Sequence, residues 1–334
     1  MSATNNSLFE FLRSQDKRRL SIREDYKAVM NNTQPEFDNS MHVIFPAMHV
    51  QPEHAFLRNG LSWHYNGFLI TTGKTVIAVD PGVDFLYRLQ ISGIDPSIIT
   101  HVYISHAHID HYGGANSIMD WLIRAKKPVT VLAPESVFTN KSVSDFHSGR
   151  MEFPAHWKPL HTSISIKPNS KIQLDDCTLL PFDLYHSIEC MGFRLETPHG
   201  QFSYISDTGY AITMEDKGKV INIKKGDLPK SKSFEYTDWH KDIDKHVAGS
   251  DLMVANIDSF YPNKNSATHM SLLDLVFLLS KSNNIKKVIL GHVNPIGELT
   301  YDEWGEKLAQ YVEAESSIKC YSLPNAGISV SVPQ

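Results

Sequence analysis

The chain has 334 residues, a net charge of −5 at pH 7, and 41% hydrophobic residues. That length and apolar content suit one large α/β core with decoration, while the acidic balance argues against a protein that coats nucleic acid by charge alone. The cysteines Cys177, Cys190 and Cys320 are odd in number and widely spaced, so they imply no disulfide framework and point to a reducing compartment.

Taken in chain order, the N-terminus lacks the basic start and apolar core of a signal peptide, and no apolar stretch approaches the ~18 residues that span a bilayer. The expectation is a cytoplasmic protein that does not engage membranes. Residues 1–40 read as a helical extension. Ser7-Leu8-Phe9-Glu10 and Ser21-Ile22-Arg23-Glu24 have capping-box form, and each opens a short run with apolar residues at helical spacing. Such an extension could pack on the domain, shape a pocket rim or mediate a homodimer.

From about residue 41 the chain turns β-rich. Leu61–Tyr65, Gly67–Ile70 and Thr75–Val79 read as strands, with Gly73-Lys74 as a turn and Asp80-Pro81-Gly82 closing the last. Val102-Tyr103-Ile104 then runs into Ser105-His106-Ala107-His108-Ile109-Asp110-His111. Four candidate metal ligands, His106, His108, Asp110 and His111, fall within six positions. A strand ending in such a turn delivers two imidazoles to one side and a carboxylate plus an imidazole to the other. These are the donors that zinc, manganese and iron use in hydrolytic sites.

Further on, Ile118, Trp121, Leu122 and Ala125 form a helical stripe ended by Pro128, and Val129–Leu132 is the next strand. His147, His156 and His161, with Trp157, have no ligand-like spacing and read as loop or rim residues. Three more strand ends carry a ligand type: His186 after Leu179–Tyr185, Asp207 after Phe202–Ser206, and His292 after Val288–Gly291. A lone His after a strand is more often a satisfied surface or core residue. Together, following H-x-H-x-D-H, the three read as parts of one rigidly aimed site.

Between Asp207 and the strand Leu252–Ala255, residues 212–246 form a polar, weakly periodic insertion. From Lys217 to Lys232 it carries six lysines against one acid, Asp227. It reads either as a solvated charged loop or as a basic lid that attracts phosphate, with Phe234, Tyr236 and Trp239 able to stack on a base. His269 precedes the apolar helix Leu272–Leu279 and stands 23 residues before His292. A helix near Tyr301–Val312 and a strand Gly327–Val330 complete a second β-then-α half.

With H-x-H-x-D-H followed in this order by His186, Asp207 and His292, the chain resembles the metallo-β-lactamase-fold metallo-hydrolase superfamily. The resemblance implies an α/β protein, an αββα four-layer sandwich, with residues 1–40 as the helical extension. Residues 41–334 would be the hydrolase domain, carrying the insertion at about 212–246. It implies two divalent metal ions, zinc favoured and manganese or iron as alternatives. His106, His108 and His186 would hold one, Asp110, His111 and His292 the other, and Asp207 would bridge them. Asp80, in the superfamily's early Asp-x-Gly element, would support a ligand from behind, or else make only a local turn bond. Two ions sharing a water make it nucleophilic near neutral pH, with Asp110 orienting it, so the chemistry implied is hydrolysis of an ester-like bond.

Departures from the family pattern narrow the substrate. Zinc β-lactamases commonly place a Cys where Asp207 stands, and flavo-di-iron relatives a Glu at His108, so β-lactam hydrolysis and flavin-coupled redox chemistry are disfavoured. The His269–helix–strand–His292 ending is similar to the phosphodiesterase branch, including tRNase Z-type nucleases and cyclic-phosphate phosphodiesterases. There the earlier His can donate to a phosphoryl oxygen or a leaving alkoxide, which a poor leaving group requires. The arm with which tRNase Z grips tRNA is not recognisable. The expectation is a phosphodiesterase for a nucleotide, cyclic nucleotide or short nucleic acid, with Asp110 and His269 as catalytic residues. A carboxyl-ester, lactone or thioester hydrolase with the same metals is the second reading, and a non-catalytic binding protein the third.

Overall fold

A computed structural model describes residues 40–46, 67–152, 154, 158–231, 233–281, 284–292, 301–323 and 328–332. The helices expected within 1–39, the strand at 61–65, and His156, Trp157 and Lys232 lie outside the described residues.

The strands in chain order are β1 (Met41–Phe45), β2 (Phe68–Thr71), β3 (Val76–Val79), β4 (His101–Tyr103), β5 (Thr130–Ala133) and β6 (Thr162–Ser165). There follow β7 (Ile172–Gln173), β8 (Thr178–Leu184), β9 (Cys190–Thr197), β10 (Gly200–Ile205), β11 (Ala211–Asp216), β12 (Lys219–Asn222) and β13 (Phe234–Trp239). The last four are β14 (Leu252–Asn256), β15 (Lys287–Gly291), β16 (Lys319–Tyr321) and β17 (Ile328–Val332). They build two seven-stranded sheets, ordered β17-β1-β2-β3-β4-β5-β6 and β16-β15-β14-β10-β9-β8-β7, and a small third sheet β12-β11-β13.

Side chains alternate across a strand, and that alternation makes the layers. On β3, Ile77 and Val79 enter the core shared by both large sheets, where they meet Phe193, Phe202 and Tyr204. Their neighbours Val76 and Ala78 face the other way, onto helices α1 (Phe85–Ile91) and α3 (Ala115–Arg124). On the second sheet, Val254 turns inward while Met253 and Ala255 turn out. The outer pair packs under α6 (Lys241–Val247), α7 (Leu272–Lys281) and α8 (Tyr301–Ser316). The result is helix, sheet, sheet, helix, the four-layer sandwich. Each fully buried Phe of the central layer is worth roughly 1.5–3 kcal/mol relative to exposure.

Both sheets deliver their functional ends to one rim. β3, β4 and β5 run parallel, as do β10, β14 and β15, so the residues after their last positions gather together. Ligands of open α/β sheets sit at such carboxyl ends. Ser105 follows β4, Asp207 follows β10, and His292 follows β15 directly.

Residues 211–239 are a sheet of their own. β11 and β12 form a hairpin closed by Lys217-Gly218, both at positive φ as a two-residue primed turn requires. Ala211, Met214, Ile221 and Ile223 form its small core, with Phe234, Tyr236 and Ala267 packed against it. β11 buries two apolar side chains, β12 one and β13 none, which leaves little periodic signal, so the segment reads as polar from its sequence. The structure differs from two further expectations. His161 is buried and sits against the Met119 carbonyl at 2.9 Å, so it is a core residue, not part of a rim. Tyr236 and Trp239 pack on Phe277 of α7, at 4.1 and 4.9 Å between ring centroids. The stacking surface expected for a base is therefore spent inside the protein.

Candidate metal centre

The motif after β4 is shaped by the short helix α2 (Ile109–Tyr112), which starts at His108. One turn of helix sets Asp110 and His111 beside a second group of donors, with the His111 ring still 4.1 Å from that of His106. The strand end at Leu184-Tyr185 brings in His186, and the three imidazoles converge. His106 Nε2 lies 3.0 Å from His108 Nδ1, and His186 Nε2 lies 3.1 Å from the same atom. In a second group, Asp110 Oδ2 stands 3.3 Å from His111 Nε2 and 3.2 Å from His292 Nε2. His111 Nε2 is also 3.5 Å from Asp207 Oδ2.

These separations test the donor set against a metal. Zinc–nitrogen bonds of 2.0–2.1 Å at tetrahedral angles put ligand atoms about 3.3 Å apart, close to every spacing above. Within each group, His106–His108–His186 and Asp110–His111–Asp207–His292, the donor atoms lie within 4.8 Å of one another. A third group, His186–Asp207–His269, meets the same limit. The residues present fit divalent cations.

Groups behind the donors fix which nitrogen faces inward. A carbonyl oxygen only accepts, so His186 Nδ1, 2.8 Å from the Thr268 carbonyl, carries the proton and leaves Nε2 with its lone pair. Asp80 does the same for His111, accepting from Nδ1 at 2.8 Å. The buried Asp80 carboxylate also accepts from the Ser105 amide at 2.6 Å, the Ser105 hydroxyl at 2.7 Å and the Tyr204 hydroxyl at 2.7 Å. Asp80 therefore acts well beyond a local turn. Its φ of +44° and the +57° of His292 are left-handed, a conformation Asp and His tolerate better than most residues. Asn256, at the end of β14, donates to Asp207 Oδ1 at 3.0 Å.

Charge balances inside the cluster. Burial alone would lower the His111 pKa, but the Asp207 and Asp80 carboxylates carry it well above the ordinary range. Burial opposes ionisation of Asp207 too, yet His292 and His111 hold its carboxyl well below the usual value. Asp110 is likewise lowered, against burial, by its hydrogen bonds to His111 and His292. His106, by contrast, is pushed well down by burial and by the neighbouring His111. His108 and His186 are lowered by burial as well.

Every residue singled out for the site from the sequence reaches this rim. His269 stands with its Nε2 3.4 Å from Asp207 Oδ2, on the loop that also supplies the Thr268 carbonyl. Reading the sequence alone misses Ser105, Tyr204, Asn256 and that carbonyl. Asn256 had a signal, a polar residue closing the apolar strand Leu252–Ala255, whereas a backbone carbonyl has none.

With this geometry in place, similarity to known proteins is informative. Residues 75–221 match the family described as the beta-lactamase superfamily domain. Over that stretch, just under half of the chain, the protein is similar to the metallo-β-lactamase-fold metallo-hydrolases. It is similar to the cAMP/cGMP-dependent 3′,5′-cAMP/cGMP phosphodiesterase B of Dictyostelium discoideum, 26% identical over 183 residues, which cover 52% of this chain and 15% of that protein. It is also similar to the ribonuclease Z of Pyrococcus furiosus, 21% identical over 257 residues, 70% of this chain and 81% of the relative. Of the first relative it thus spans a minor part. Among solved structures, the metallo-β-lactamase-fold protein YhfI of Bacillus subtilis superposes with a TM-score of 0.61 at 14% identity, covering 87% of this chain and 99% of that one. No helix among the described residues is long and apolar enough to cross a membrane.

Proposed function

We propose that the protein is a binuclear metal-dependent phosphodiesterase that cleaves a nucleotide, cyclic nucleotide or short nucleic-acid phosphodiester. Residues 41–334 would be its hydrolase domain. His106, His108 and His186 would hold one ion and Asp110, His111 and His292 the other, with Asp207 between them. Zinc suits the donors best, and manganese or iron are accepted by the same types. Two such ions would supply Lewis acidity and an activated water.

The observation that carries the reading is the position of His269. Its Nε2 lies 3.4 Å from Asp207 Oδ2, at the edge of both donor groups, and its Nδ1 is 3.0 Å from the Thr268 hydroxyl. A group at that place can hold a proton for a leaving alkoxide, the demand that separates a phosphodiester from an activated acyl substrate. Asp110 accepts from its neighbours on the opposite side and can orient the attacking water. The relatives named above include a cyclic-nucleotide phosphodiesterase and a ribonuclease, which supports the same substrate class. The free, buried cysteines support a reducing, cytoplasmic setting.

The test compares metal-loaded protein and Asp110→Ala on bis-p-nitrophenyl phosphate and on p-nitrophenyl ester and lactone substrates. Metal-dependent phosphodiester cleavage, lost in the variant, supports the proposal. Turnover of esters or lactones alone sinks it in favour of acyl hydrolysis.

A further inference from the structure

The inserted sheet touches the loop that carries His269, and the helix that follows it, at three points. Ala267, two residues before His269, packs against its small core. Tyr236 of β13 stacks on Phe277 of α7 with ring centroids 4.1 Å apart. The third point is polar and deeply buried. α7 begins with a capping box in which the Ser271 amide and hydroxyl both donate to Asp274 Oδ2, at 2.8 and 2.7 Å. The Asp274 amide completes it by donating to the Ser271 hydroxyl at 3.2 Å. Asp274 is fully buried, which raises its pKa against the pull of these bonds and of Tyr236.

The Tyr236 hydroxyl faces this box, beside the Asp274 carboxyl and the Ser271 hydroxyl. Asp274 Oδ1 and Tyr236 Oη are both buried, and neither has a hydrogen-bond partner of good geometry among the described residues, each other included. A buried carboxylate oxygen without a donor costs on the order of 1–3 kcal/mol, and the phenol beside it is a donor of the kind it lacks. No metal donor is involved. Ser271 lies two residues from His269, and the intervening Met270 carbonyl accepts from the Asp258 amide at 3.0 Å.

We propose that the insertion is a clamp for His269, and that Tyr236 is its positioning residue, acting through the Asp274–Ser271 box. The clamp fixes the loop from which His269 reaches Asp207 and from which the Thr268 carbonyl orients His186. It accounts for an added sheet whose aromatic side chains are turned onto α7. Its catalytic consequence rests on the proton-donor reading of His269 given above.

The test uses full-length, metal-loaded Tyr236→Phe, which keeps the stack on Phe277 and removes only the hydroxyl. Two substrates are compared: bis-p-nitrophenyl phosphate, whose leaving group needs no proton, and a dinucleotide, whose alkoxide leaving group does. The expected result is a roughly ten-fold fall in kcat on the dinucleotide, with KM and the rate on bis-p-nitrophenyl phosphate within about two-fold of wild type. In a His269→Ala background the same change should add less than about two-fold, because both substitutions remove one function. Equal losses on both substrates, or an undiminished loss in that background, would overturn the clamp. NMR of the metal-free protein gives a readout independent of turnover: the His269 ring resonances should move in Tyr236→Phe, and unmoved resonances also overturn it. If His269→Ala itself spares the dinucleotide, the proton-donor reading falls, and the clamp is then decided by those resonances.

Discussion

His186 and Thr268 are joined through a 2.8 Å hydrogen bond from the imidazole Nδ1 to the backbone carbonyl. This single contact ties a donor from β8 to the loop before α7, so the candidate metal centre and His269 share one piece of backbone. Displacing the loop therefore has two effects at once, on the tautomer of His186 and on the reach of His269.

Gly209 offers a way to displace it. A Cβ at this position would fall inside contact distance of the Ala267 carbonyl oxygen, and backbone there has little room to yield. Gly209→Ala should cost about 1–3 kcal/mol of stability by overpacking and should lower metal affinity with it. Thermal unfolding and a chelator competition would measure both. An unchanged metal affinity would show that the loop absorbs the methyl without moving Thr268.

Removing Asp80 tests orientation from behind the donors. Asp80→Asn keeps the volume but no longer offers His111, Ser105 and Tyr204 one shared carboxylate. Metal affinity should fall by about 10–100-fold, the usual cost of losing such a partner. Titration against a chromogenic chelator reads this directly, and wild-type affinity would mean that His111 is oriented by something else.

Metal uptake should release protons. In the metal-free protein, Asp207 and Asp80 hold the pKa of His111 up, and Asp207 and Asp110 hold up that of His292, each against burial. Both rings must be neutral to bind a cation, so binding near pH 7 expels roughly one to two protons and tightens as the pH rises. Calorimetry in buffers of different ionisation enthalpy counts them. Binding that is indifferent to buffer and pH would contradict the assignment of these two residues.

Acid stability carries the opposite sign. The folded Asp207 pKa lies well below its ordinary value, so its contribution is fully present above the unfolded value of ~3.9 and disappears as the pH falls through the folded one. The metal-free wild type should thus exceed Asp207→Asn in Tm by most above about pH 4, and the gap should close on acidification. A gap that widens in acid would mean that the carboxylate is not stabilised by His292 and His111.

Most of the centre is legible in the sequence because its donors are compact and sit at strand ends. His106, His108, Asp110 and His111 announce themselves by spacing, while His186, Asp207 and His292 each follow an apolar run that periodicity finds. The layers came from the family resemblance: runs such as Val76–Val79 are apolar on both faces and agree with it, but periodicity alone would not pick the sandwich. What could not be read is long-range and singly encoded. Nothing local to Tyr236 says that its ring meets Phe277, and nothing near His161 says that it is buried against Met119. The third sheet escaped because its strands bury too few side chains for alternation to emerge.

Ala211 and Trp239, the first and last residues of that sheet, are register partners across β11 and β13. The excursion from the sandwich thus leaves and returns at one place, like a handle whose two ends share one mount. Its 27 intervening positions, 212 to 238, could be gained or lost by an ancestor without any strand of the large sheets changing neighbours. Relatives without the handle would be expected to differ in how their loop before α7 is held, not in how their sheets are wound.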